Sequence, residues 1–250
     1  MNWAATSQHA FRLVAGLVVI CILAWALHLS GLTASLAPDA EGLSMVITLI
    51  GAIYAVIFAF VIFVIWGQFT EVESASSREC SSLNDLLRFS QYLNPDSNRA
   101  IRRAVSEYSQ RVTSSEWHSL GEHRRDQSSE KAFSALIHTV LKTQPANPAE
   151  EALIERLIDI VRKVGEQRDE RIAKSLTRIP PTLLGLVRVM AIALLVLVFF
   201  FPFHCWIAGM GCMAVLTIIL FLSNLVMTDT DNPFEGIFNV SPRPFTELSL

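Results

Sequence analysis

Charge disappears from three stretches of this chain: residues 13–38, 42–70 and 189–228 contain no Asp, Glu, Lys or Arg. A bilayer core about 30 Å thick takes about 20 apolar residues in a helix. The first two stretches hold one span each. The third holds two, because Phe201-Pro202-Phe203-His204 lies at its middle, and proline, which lacks an amide hydrogen, breaks a helix interior. The expected spans are residues 11–29, 43–66, 183–203 and 206–227. The predicted fold class is an all-α membrane protein, with four transmembrane helices arranged two plus two and a helical cytoplasmic domain between spans two and three. Four segments follow: 1–66, an N-terminal transmembrane pair; 67–182, the cytoplasmic domain; 183–228, a transmembrane hairpin; and 229–250, a cytoplasmic tail. The first stretch has a rival reading as a signal peptide, with Arg12 before the apolar run and Ser35-Leu36-Ala37 as a small-residue cleavage site.

Basic residues give the sidedness. The loop between spans one and two carries Asp39 and Glu41 but no Lys or Arg, and the turn between spans three and four carries no charge. Arg12, Arg178, Arg188 and Arg243 flank the opposite ends, and 17 of the 20 basic residues lie between positions 67 and 182. The positive-inside rule then places both termini and the central domain in the cytoplasm. A net charge of −3 with no basic stripe argues against a nucleic-acid partner. Cys21 and Cys212 fall inside spans, Cys80 falls in the central domain, and no C-x-x-C pair exists. Neither a disulfide framework nor a metal or redox motif is expected from such spacing, and no cofactor is indicated.

The central domain reads as helix throughout. After Trp66, the apolar positions Val72, Ala75, Leu83, Leu86, Leu87 and Leu93 recur at helical spacing. No proline interrupts 43–94, so the second span is expected to run on as one helix of roughly 50 residues, about 75 Å long. Gly51 and Gly67 are its weak points. Asn94-Pro95 starts the next helix, with Ile101, Ala104, Val105, Tyr108 and Val112 on one face. A shorter helix carries Phe133, Leu136, Ile137, Val140 and Leu141. Asn147-Pro148-Ala149-Glu150 opens the last, where Asn caps, Pro fits the first turn and Glu150 reaches back to the cap amide. That helix presents Leu153, Ile154, Leu157, Ile158, Val161 and Val164 and stops before Ile179-Pro180-Pro181. The domain balances 17 acidic against 17 basic residues, a composition of solvated faces and inter-subunit contacts.

Enzyme motifs are absent: there is no G-x-x-x-x-G-K-[ST], G-x-S-x-G or H-E-x-x-H. No catalytic residue is assigned. Glu116, His118, Glu122, His123 and Asp126 have ligand chemistry, and His118 and Glu122 are four apart as a metal pair needs. Gly121 and Arg124-Arg125 suit a solvated helix end equally, and a metal at this cluster stays open. Arg188 lies about five residues into the third span, where it either serves a function or snorkels to the interface. The second span holds Tyr54, Phe58, Phe60, Phe63, Trp66 and Phe69 on every face and a narrower stripe of Ile50, Ile53, Ile57, Val61 and Val64. In an oligomer centred on this helix, Ile53, Ile57 and Val61 would form stacked apolar rings that gate a pore by dewetting; in the alternative they are ordinary packing. At the end of the last span, Asp229, Asp231, Asn232, Pro233, Phe234 and Gly236 either resemble calcium-ligand chemistry or form a capped helix end and turn.

The second span leading into Glu71-Glu73, the central Tyr108 and Trp117, and the closing Asp229-x-Asp231-Asn232-Pro233-Phe234-x-Gly236 with Val240 and Phe245 resemble the bestrophin-like domain family of bacterial membrane proteins, a distant relative of the bestrophin channels. The resemblance covers roughly residues 40–247. Bestrophins have an Asn-Pro-Phe-Gly after the last span; here Glu235 intrudes before Gly236, and the acidic run of calcium-gated members is missing. The resemblance implies a homo-oligomeric, pentameric ion channel of the bacterial inner membrane, with the second span lining a hydrophobic neck. Its partners would be further copies of itself, membrane lipids and inorganic ions. Because the second span holds no charge, anions are favoured over cations. The alternative is a non-conducting membrane scaffold or sensor acting through its cytoplasmic helices.

Overall fold

A computed structural model of the chain describes residues 36–235 and 239–248, together with Ala15, Gly16, Val18, Ile22 and Ala26. The expected first span lies largely outside the described residues, and Gly236 lies outside them as well. Among the described residues there is no strand. A 3₁₀ turn, Ala37–Asp39, leads into α1 (Ala40–Ser90), followed by α2 (Pro95–Arg111), a π-helical turn (Val112–Glu116), α3 (Trp117–Gly121), α4 (Gln127–Leu141), α5 (Pro148–Leu176), α6 (Pro181–Phe199), α7 (Trp206–Thr230) and α8 (Arg243–Thr246).

Three of the described helical stretches are long and apolar enough to cross a membrane: Ala37–Ser90, Pro148–Phe199 and Trp206–Thr230. In the second, the apolar part is α6, which follows the Pro180-Pro181 pair. Helix α1 runs 51 residues without a break; it contains no proline, and Gly51 and Gly67 are tolerated within it. The α6–α7 break falls at Phe200–Cys205, around Pro202, where the missing amide hydrogen ends the first helix.

The chain forms two compact units, Met1–Ile65 with Ile179–Asp231, and Trp66–Arg178 with Asn232–Leu250. In the first, Tyr54, Val61 and Ile65 of α1 pack with Ile179, Val187 of α6, and Leu220 and Met227 of α7. Large apolar side chains remain exposed around this small core, among them Val189, Ile192, Ile207 and Val215. That is the surface a membrane helix offers to lipid.

The second unit has a core of the usual soluble kind. Val72, Leu83, Leu86 and Leu87 of α1 meet Ile101, Val105 and Tyr108 of α2, Phe133, Leu136 and Val140 of α4, and Leu157, Val161 and Val164 of α5. Its helix starts follow local chemistry. The Asn94 side chain accepts from the Ser97 amide at 2.9 Å, and Asn147 accepts from the Glu150 amide at 2.9 Å. The Glu150 carboxylate reaches back one residue further than a capping box, accepting from the Ala146 amide at 2.9 Å. Asp126 caps α4 through the Ser129 amide at 2.8 Å.

Candidate functional site

The buried face of α5 reads Val161, Val164, Arg168, Arg171, Ile172 and Ser175. Two arginines thus occupy positions whose helical spacing belongs to the core. Burying a guanidinium is tolerated only with partners, and both find them. Arg171 Nε donates to Glu79 Oε2 at 2.7 Å, and its Nη2 donates to Glu116 Oε1 at 2.5 Å. Arg168 Nη2 donates to Glu116 Oε2 at 3.0 Å, and its Nη1 donates to Glu130 Oε2 at 2.8 Å. Tyr108 donates its hydroxyl to Glu79 Oε1. The side chains of Glu79, Glu116, Arg168 and Arg171 are almost wholly withdrawn from solvent. Aromatic faces close the rest: Arg171 lies 5.6 Å from the Trp117 ring centroid and 5.5 Å from that of Phe245, and Arg168 lies 5.5 Å from that of Phe133.

The electrostatics fix the protonation states of Arg171, Tyr108 and Cys80. Burial alone would lower the Arg171 pKa, but Glu79 and Glu116 outweigh it and hold the guanidinium well above its ordinary value. Burial pushes the Tyr108 hydroxyl well up, and the Glu79 carboxylate adds to that. The Cys80 thiol is likewise raised by burial, then by Glu79. Near neutral pH the arginine stays charged, and the phenol and the thiol stay neutral. These three groups therefore suit a fixed charge lattice rather than proton transfer.

From Asn232 onward, the closing motif belongs to the same unit. Phe234 is buried edge-on to Trp117, with ring centroids 4.9 Å apart, and Trp117 also meets Phe245 at 5.7 Å. Trp117 Nε1 donates to the Val240 carbonyl at 3.0 Å, while the Val240 amide donates to the Pro233 carbonyl at 2.7 Å. Asn232 spends both ends of its amide: Oδ1 accepts from Arg178 Nη2 at 2.9 Å, and Nδ2 donates to the Gly121 carbonyl at 3.0 Å. In the membrane unit, Asp231 Oδ1 accepts from the Ile179 amide at 3.3 Å.

Along α1 of the membrane unit, one face is left open by the described helices. It carries Met45, Leu49, Ile53, Val56, Phe60 and Phe63, all exposed. Opposite it lie Tyr54, Val61 and Ile65.

A family described as bestrophin-like domain matches residues 14–245. The chain belongs to the bestrophin-like family. Solved structures share its fold. One crystal structure of a variant bacterial bestrophin homologue from Klebsiella pneumoniae superposes with a TM-score of 0.72 at 11% identity, covering 96% of this chain and 100% of that one. A second variant of that homologue gives 0.70 at 12% identity, covering 95% and 94%. A structure described as a membrane protein variant gives 0.71 at 12% identity, covering 96% and 94%. No curated protein matches the sequence.

On this bestrophin-like chain the neck triad separates. Ile53 is 45% exposed, Ile57 is half-buried against the core, and Val61 is fully enclosed at 0%. The reason is geometric. At 3.6 residues per turn, a step of four advances about 40° around the helix, so the three side chains rotate from the open face into the packed one. Within the subunit Val61 therefore occupies a core position. The ligand-type cluster also comes apart. Glu116 turns inward to the arginines, Asp126 caps α4, and His118 and Glu122 face solvent with 3.6 Å between them. Among the described residues no three metal-ligating side chains converge. Sequence reasoning missed the lattice of Glu79, Glu116, Arg168 and Arg171. The available signal was two arginines continuing the Val161–Val164 core spacing.

Proposed function

We propose that this chain is the subunit of an oligomeric ion channel, a pentamer in a bacterial inner membrane, that conducts anions through an apolar neck built by α1. The observation that carries the reading is the uncovered apolar face of Met45, Leu49, Ile53, Val56, Phe60 and Phe63 on a helix with no charge between residues 42 and 70. Copies of that face around an axis would stack rings of branched and aromatic side chains, which exclude water when narrow. The neck on this reading comprises Ile53, Val56 and Phe60, with Ile57 at its margin. A constriction without carboxylates favours ions that shed water readily, large monovalent anions before small cations. The sheltered lattice around Arg171 would hold the second unit rigid, and Asn232, Pro233 and Phe234 would clamp the tail rather than bind calcium. Both termini and residues 67–182 would face the cytoplasm.

Purified protein in planar bilayers tests this. Val56→Ala and Phe60→Ala should raise conductance, and the reversal potential in a chloride gradient should follow chloride. Val61→Ala should lower thermal stability and leave current per channel unchanged. Absence of current from the wild type and from both neck variants, in an intact oligomer, replaces the channel with a scaffold.

A further inference from the structure

Arg188 is the one Lys or Arg in the described part of the membrane unit, residues 36–65 and 179–231. It lies seven residues beyond the start of α6 at Pro181, about 10 Å along the helix at 1.5 Å per residue. Its Nε donates to Asn224 Oδ1 on α7 at 3.0 Å. That bond ties the guanidinium to α7 across the space between the two helices. Among the described residues no carboxylate pairs with it. The space is a groove enclosing about 320 Å³, with Arg188, Asn224 and Thr217 as its polar lining beside Tyr54, and with Val187, Ala191, Leu195 and Leu220 among its apolar walls.

A cation at such depth in a bilayer stays only where something answers its charge. Thr217 is committed to the Met213 carbonyl at 2.7 Å, so its hydroxyl proton is spent. The geometry points to a bound anionic phospholipid: its phosphate sits on the terminal nitrogens of Arg188 and an acyl chain lies along Val187, Ala191, Leu195 and Leu220. Charge complementarity selects this occupant. A planar guanidinium offers two parallel N–H donors to a phosphate diester, and basic pockets between membrane helices take anionic headgroups. A zwitterionic lipid brings its own ammonium, for which the groove lining holds no carboxylate. The site belongs to the leaflet that meets the Pro181 end of α6. It does not depend on whether the oligomer conducts.

Native mass spectrometry of the detergent-extracted oligomer, incubated with equal amounts of dioleoyl phosphatidylglycerol and dioleoyl phosphatidylcholine, reads the preference directly. One basic side chain near a charged headgroup corresponds to about a fivefold preference for the anionic lipid. Arg188→Gln should bring the ratio to about one with the oligomer and its melting temperature unchanged, and Arg188→Lys should keep part of it. Asn224→Leu, which leaves the charge but removes its orienting partner, should weaken the preference without abolishing it. Equal retention of both lipids by the wild type overturns the site, as does an unchanged ratio in Arg188→Gln. Dissociation of Arg188→Gln into protomers also overturns it, by assigning Arg188 to a contact between copies.

Discussion

Arg171 and Glu79 stand 92 residues apart in sequence, yet their side chains meet at 2.7 Å with neither touching solvent. Removing one member of such a pair leaves a buried charge without its partner, which costs about 3–5 kcal/mol. Glu79→Gln and Arg171→Met should each lower the thermal midpoint of the purified protein steeply. The double variant leaves Glu116 and Arg168 balanced and should recover at least half of the loss. A double variant as unstable as the sum of the singles would mean that the pair is not an isolated unit of stability.

Asp126 gives a pH dependence of known sign. Burial is the largest single influence and disfavours its charge, but hydrogen bonds from Ser128, the Ser129 hydroxyl and the Ser129 amide together outweigh it and hold its pKa below the ordinary carboxylate range. A depressed folded value means that the cap contributes fully above the unfolded pKa of about 4 and is lost as pH falls below it. Asp126→Asn keeps an N-cap acceptor but removes the titration. Its acid-unfolding curve should therefore lie flatter than the wild type's below about pH 4.

Phe234 predicts a tail that is held, not loose. Truncating a buried aromatic costs about 3–5 kcal/mol, so Phe234→Ala should speed chymotryptic cleavage after Phe245, which is buried in the docked tail, and lower the melting temperature. Trp117→Phe keeps the ring contact but loses the donor to the Val240 carbonyl, and should show a smaller effect in the same direction.

Sidedness is checked by labelling single cysteines in intact cells. Glu41→Cys, in the first turn of α1 at the end without basic residues, should react with an impermeant maleimide, and Arg125→Cys should react only after permeabilisation. The reverse pattern would invert the proposed topology.

Most of the secondary structure was legible because its signals are local. Charge gaps mark the apolar helices, Pro202 ends α6, and the Asn94-Pro95 and Asn147-Pro148 pairs start α2 and α5. The site was less legible, for two reasons. Four-residue spacing looks like a single stripe on paper, but it precesses around a real helix, so Ile53 and Val61 part company. The second reason is distance along the chain. Arg171 could be recognised as buried from its register with Val164, but nothing near it in sequence names Glu79 or Glu116 as partners. Those follow only once α1, the π turn and α5 are brought together.

The π turn fixes how many residues the stretch between α2 and α3 must hold. The Trp117 amide bonds to the Val112 carbonyl, five residues back, so this stretch accommodates one residue more than a regular helix would. Straightening it at constant length would swing Trp117 and Leu120 by about 100°, one residue's worth of rotation, and take them off the core. Deleting a single residue between Val112 and Glu116 would instead let one regular helix run from Pro95 to Gly121 with the same face inward. A chain one residue shorter between Val112 and Glu116 should therefore keep Trp117 and the same core.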